Sequence, residues 1–120
     1  MKGADYNELE KRLAKKDGAE LVKNSGRGQR KGDARRGEML IDYKFTEASS
    51  FAINAKAFAK HEKDAWTEGY EPVIVSVFEN HSSRTLAIVD WSYLKRLYDD
   101  LQDYIVAEQL QNDFDSGEDL

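Results

Sequence analysis

The chain has 120 residues, 40% of them hydrophobic and 34% charged, with no cysteine and a formal net charge of −5. That length suits one domain with its own core, and the lack of cysteine excludes disulfides and thiolate metal centres. No apolar run approaches the roughly 18 residues that span a bilayer, and the N-terminal MKGADYNELEKRL lacks the apolar core of an export signal, so a soluble cytoplasmic protein is expected.

Residues 5–16 read as an amphipathic helix, with Tyr6, Leu9 and Leu13 on one side at helical spacing and Asp17-Gly18 ending it. Residues 19–23 are short and mildly apolar, which predicts a first strand. A loop follows over 24–32, rich in glycine and arginine and without apolar content. The charge balance shifts beyond this region. Residues 1–44 hold twelve Lys and Arg against eight Asp and Glu, whereas residues 45–120 hold six against fifteen. Six basic residues (Lys23, Arg27, Arg30, Lys31, Arg35 and Arg36) crowd around a single acid, Asp33, which the flanking glycine places in a turn. A surface that tracks phosphates has this composition. The plainer alternative is a solvated basic loop.

Residues 38–46 form the clearest early strand. Alternation sends Asp42 and Lys44 to one face and Ile41, Tyr43 and Phe45 to the other. An aspartate among apolar strand neighbours runs against propensity, which suggests a functional demand at that position. A helix is expected over 54–68, burying Phe58, Ala59, Ala65 and Trp66, with Gly69 at its end and Pro72 at the return to sheet. Residues 72–78 (PVIVSVF) read as a central strand covered on both faces. Residues 85–90 are its expected antiparallel partner across a polar loop at 79–84. Asp90 or Ser92 caps a last helix over 91–110, whose Leu94, Leu97, Tyr98, Leu101, Tyr104 and Ile105 form a broad apolar stripe. An acidic, disordered tail is expected over 111–120. The strand–helix–strand passage from 38 to 78 predicts parallel strands joined by a crossover. The expected architecture is an α/β sandwich with a small mixed sheet in one domain over 1–110.

Two carboxylates and an ammonium at one sheet edge suit a divalent cation and the hydrolysis of a phosphodiester. His61 and His81 read as isolated and exposed, so no zinc site is expected. Gly26-Arg27-Gly28 with Gly32 lacks the Gly-Lys-Ser/Thr ending of a nucleotide-binding loop.

Taken together these residues resemble the phage and archaeal-type Holliday junction resolvases of the PD-(D/E)xK nuclease superfamily. The likeness covers about residues 5–95. It rests on Glu8 (or its rival Glu10), Asn24-Ser25-Gly26, Lys31-Gly32-Asp33 and the run from Met39 to Lys44 with Thr46. Ser50-Phe51, Ala65, Gly69 and Pro72-Val73-Ile74-Val75 extend it. Two positions depart from the commoner pattern: Asp42 stands where glutamate is more frequent, and glycine precedes Asp33 where proline is more frequent. The resemblance implies a restriction-endonuclease-like α/β/α sandwich. Asp33, Asp42 and Glu8 would hold Mg²⁺, or Mn²⁺ in its place, and Lys44 would orient or activate the attacking water. Ser25 would contact DNA together with Lys23, Arg27, Arg30, Lys31, Arg35 and Arg36. It further implies a homodimer that makes paired symmetric nicks in a four-way DNA junction, in a bacterial or phage-infected cytoplasm. Other readings are a nuclease of the same superfamily acting on flaps, ends or nicked duplex, and a non-catalytic nucleic-acid-binding protein of the same fold.

Overall fold

A computed structural model of the chain describes residues 3–22 and 33–117. They belong to two compact units, 1–89 and 90–120. The first unit contains helix α1 (Gly3–Lys16), strands β1 (Glu20–Leu21), β2 (Asp33–Arg36) and β3 (Met39–Thr46), helix α2 (Ala55–Thr67), and strands β4 (Glu71–Phe78) and β5 (Arg84–Ile88). The five strands form one mixed sheet, ordered as in the chain. Neighbours pair antiparallel except β3 and β4, which run parallel with α2 as their crossover. The fold class is therefore α/β with a mixed sheet, as expected.

Strands β3 and β4 supply most of the core, with Leu40, Ile41, Tyr43, Val73, Ile74, Val75 and Val77 buried. The valine-rich run is buried on both faces from Pro72 to Val77, as its continuous apolar pattern requires. Pro72 sits in this interior strand without breaking a ladder bond. Glu71 N–H reaches across to Glu38 O at 2.7 Å, so the next nitrogen faces β5, and β5 pairs no further than Ile88 opposite Ile74.

Both helices of this unit close with the same device. Gly18 at φ +69° and Gly69 at φ +81° take the left-handed conformation. The amides after each turn back: Gly18 N–H to Lys15 O and Ala19 N–H to Ala14 O for α1, Gly69 N–H to Trp66 O and Tyr70 N–H to Ala65 O for α2. These are Schellman caps, which satisfy the last carbonyls of a helix. At its start α2 is capped by Asn54, whose side chain accepts from the amides of Lys56 and Ala57. The β4–β5 hairpin turns through Ser82 at φ 59° and Ser83 at φ 49°, with Arg84 N–H on His81 O at 3.1 Å. That is a type I′ turn built from serines where asparagine and glycine are favoured.

Three local expectations are corrected. Asp33 opens strand β2 and is only 4% exposed, not a turn residue; its pairing with β3 decides the conformation. Helix α2 buries His61 and Ala65, while Ala59 and Trp66 are exposed. Phe58, His61 and Ala65 share a side at spacings of three and four, and Trp66 lies one position further round the helix. In the second unit, helix α3 (Trp91–Gly117) runs past residue 111, where a disordered tail was expected. Asp90 caps it by accepting Ser92 N–H at 2.8 Å. Near the far end Gln111 donates to Asp115 at 3.1 Å, one turn on. Once nucleated, a helix extends at little cost per residue. Leu94, Tyr98, Leu101 and Ile105 of α3 are all exposed. Among the described residues no helix is long and apolar enough to cross a membrane.

Candidate metal centre

Antiparallel pairing sets Asp33 of β2 directly opposite Asp42 of β3. Residues so paired project from the same face, their Cβ atoms about 5 Å apart. Leu40 and Lys44 share that face with Asp42, two residues to either side. Lys44 Nζ lies 3.1 Å from Asp42 Oδ2, with the lysine side chain about half exposed. The crossover helix supplies a further group. His61 is buried, and its Nε2 lies 2.9 Å from the backbone oxygen of Leu40. One donor atom from each of Asp33, Asp42 and His61 lies within 4.8 Å of the other two.

Like charges facing each other across a ladder repel, and the Lys44 ammonium beside Asp42 offsets part of that repulsion. A divalent cation between the two carboxylates reverses the sign of that interaction. The donor set also fits one by size. With bonds of about 2.0–2.2 Å on each side, an ion bridges donors about 4 Å apart, so closing this group needs movements of under about 1 Å.

His61 is the member that sequence reading missed, since it was expected to be isolated and exposed. The available signal was its place on α2, three residues after Phe58 and four before Ala65, on the side that meets the sheet. Only the crossover brings it to the aspartates.

Glu8 is not part of this group. It lies on α1, 68% exposed at its side chain and 3.6 Å from Lys11. Leu9 and Leu13 of the same helix line a pocket with Phe45 and Val77, so α1 covers the sheet face opposite Asp42. Its rival Glu10 is half-buried on the same helix. On that opposite face the Tyr43 hydroxyl donates to Asp17 Oδ2 at 2.9 Å. Burial first, and then the Asp17 carboxylate, push the Tyr43 phenol well above its ordinary range.

Of the expected DNA contacts, Lys23, Ser25, Arg27, Arg30 and Lys31 lie outside the described residues. Arg35 alternates with Asp33 onto the acid face and donates from Nη1 to Tyr70 Oη at 3.2 Å, with its guanidinium over the same ring. Arg36 points to the other face, beside Gly18 at the end of α1. Ser76 stands opposite Lys44 in the parallel ladder, and its buried hydroxyl has no hydrogen-bond partner among the described residues.

Comparison of the chain with models of protein families, with curated proteins and with solved structures found no match.

Proposed function

We propose that the protein is a metal-dependent, structure-selective DNA endonuclease of restriction-endonuclease-like fold, which resolves four-way junctions by paired symmetric nicks. The observation that carries this reading is the Asp33–Asp42 pair with Lys44 at 3.1 Å from Asp42. Two facing carboxylates with a half-exposed ammonium beside them suit phosphodiester hydrolysis. Asp33 and Asp42 hold the cation, Mg²⁺ or Mn²⁺. Bound there, a divalent ion neutralises the phosphate and makes a water nucleophilic near neutral pH. Lys44 stands at the open side of the pair and places its positive charge where the phosphate gains negative charge on the way to the transition state. Its half-exposure leaves it within reach of a backbone outside the protein, while the buried Asp33 keeps the inner ligand fixed.

The basic segment around Asp33 supplies salt-sensitive, sequence-independent contacts to DNA phosphates. Selection of a junction then comes from the shape of the branch. Two symmetric cuts need two centres, which a twofold homodimer provides. Leu94, Tyr98, Leu101 and Ile105, spaced at three and four along α3 and all exposed, give an apolar seam of the kind that a second copy covers.

The test uses a labelled four-way junction and a linear duplex, each with Mg²⁺, with Mn²⁺ and with chelator. Paired nicks confined to the junction, and lost in Asp42→Ala and Lys44→Ala with DNA binding retained, are expected. Equal cutting of both substrates would make the protein a general nuclease of the same chemistry. Binding without cutting under every metal would make it a non-catalytic DNA-binding protein. A monomer by sedimentation at micromolar concentration would remove the dimer.

A further inference from the structure

We infer that His61 is the third metal ligand, through Nδ1, and that its nitrogen tunes the centre toward first-row transition-metal dications over Mg²⁺. The inference rests on the metal-centre reading above but replaces the helix-borne acid with an imidazole from α2. Three observations carry it. A nitrogen of His61 shares the 4.8 Å cluster with Asp33 and Asp42. The side chain is buried at 6% exposure, so it does not sit there as a solvated surface group. Its Nε2 is engaged by Leu40 O at 2.9 Å.

The last contact fixes the chemistry of the ring. A carbonyl oxygen only accepts, so Nε2 carries the proton and donates it. In the neutral ring that leaves the lone pair on Nδ1, the nitrogen able to bind a metal. An imidazole held by a backbone carbonyl through one nitrogen and free at the other is the usual arrangement of a metal-binding histidine. The carbonyl belongs to β3 two residues before Asp42, so one strand both orients the histidine and supplies a carboxylate. Mg²⁺ is a hard ion that takes oxygen donors and retains its waters. Imidazole favours the later first-row metals. A set of two carboxylates and one imidazole therefore binds Co²⁺ in preference to Mg²⁺, with Mn²⁺ between the two.

The experiment is pulsed EPR of the full-length protein loaded with Mn²⁺, alongside titrations with Co²⁺ and Mg²⁺. The chain has two histidines, so ¹⁵N-histidine labelling is nearly site-specific, and His81→Ala removes the second, exposed one. A ¹⁴N coupling to Mn²⁺ that becomes a ¹⁵N coupling on labelling and survives His81→Ala is expected. His61→Gln should abolish it, weaken Co²⁺ binding by about 10–100-fold and leave Mg²⁺ binding within about threefold, a ratio set by donor softness. Bound Mn²⁺ without nitrogen coupling, coupling that survives His61→Gln, or no Mn²⁺ binding at all would overturn the inference. The labelled wild-type spectrum decides the matter even where His61→Gln does not fold. Nitrogen coupling with an uncut junction would refute the nuclease and leave the ligand. Cutting with Mg²⁺ and no nitrogen coupling would do the reverse.

Discussion

Strand β3 takes part in a polar pair on each of its faces, one member of each buried, and the two are built on different terms. On the α1 side the Tyr43 hydroxyl donates to Asp17, a donor meeting an acceptor. On the α2 side Asp42 faces Asp33 across the ladder, with Lys44 Nζ 3.1 Å from Asp42. The first pair satisfies a polar atom that burial would otherwise penalise, and it ties the end of α1 to the sheet. The second pair brings two carboxylates together, with the Lys44 ammonium beside Asp42 offsetting part of their repulsion. Adjacent residues on one strand thus serve different ends. On the proposed function, Tyr43 serves folding and Asp42 serves chemistry.

The largest test of this division is Asp42→Asn, which keeps the shape and removes the charge. Junction cleavage should fall by at least about 10³-fold, the scale of losing one transition-state contact or more, while the apo protein melts no lower than wild type. A large loss of stability would place Asp42 in the fold. Ion binding gives the same comparison from the other side: saturating Mn²⁺ should raise the melting temperature of the wild type, since a ligand bound only by the native state stabilises it. Neither Asp33→Asn nor Asp42→Asn should respond.

Tyr43→Phe probes the opposite face. It should cost about 1 kcal/mol in denaturant unfolding and leave cleavage unchanged; a parallel loss of activity would show that the two faces are coupled. The sign of its pH dependence follows from the raised phenol. Below about pH 10 the tyrosine is neutral in both states and its contribution is intact. As pH climbs past that value the unfolded chain loses the proton first, so wild-type stability declines, and Tyr43→Phe should lack that part of the decline.

An effect of similar size and opposite sign is expected away from both pairs. Ser82→Asn with Ser83→Gly should stabilise the protein by about 1 kcal/mol, because two serines hold the left-handed conformations of the type I′ turn. Cleavage should not change.

What could be read from the chain alone follows the range of the forces involved. Asp42 and Lys44 share a face by strand alternation, a rule of period two that needs no tertiary information. The parallel β3–β4 pair with its helical crossover is likewise legible, because the apolar run at 72–78 and the glycine at 69 mark its limits. Strand β2 is not legible: the segment Asp33-Ala34-Arg35-Arg36 has no apolar alternation, and it becomes a strand by pairing with β3. His61 was misread for a related reason. Its burial depends on which side of α2 meets the sheet, and the aromatic Trp66 points sequence reading to the wrong side. The end of α3 was misread because an acidic composition suggests disorder, whereas Leu110 and Phe114 continue a helix already started at Asp90.

The contact between His61 and the Leu40 carbonyl has a consequence for how long the centre persists. Helix α2 is capped by Asn54 and Gly69 at its ends and is bonded to the sheet through this side chain. With His61 as the inferred ligand, detaching the helix would remove a metal donor, so ion release and helix undocking would become one event. The backbone amides of α2 should therefore exchange with deuterium more slowly when Mn²⁺ is bound. Those of α1, on the other side of the sheet, should keep their rates.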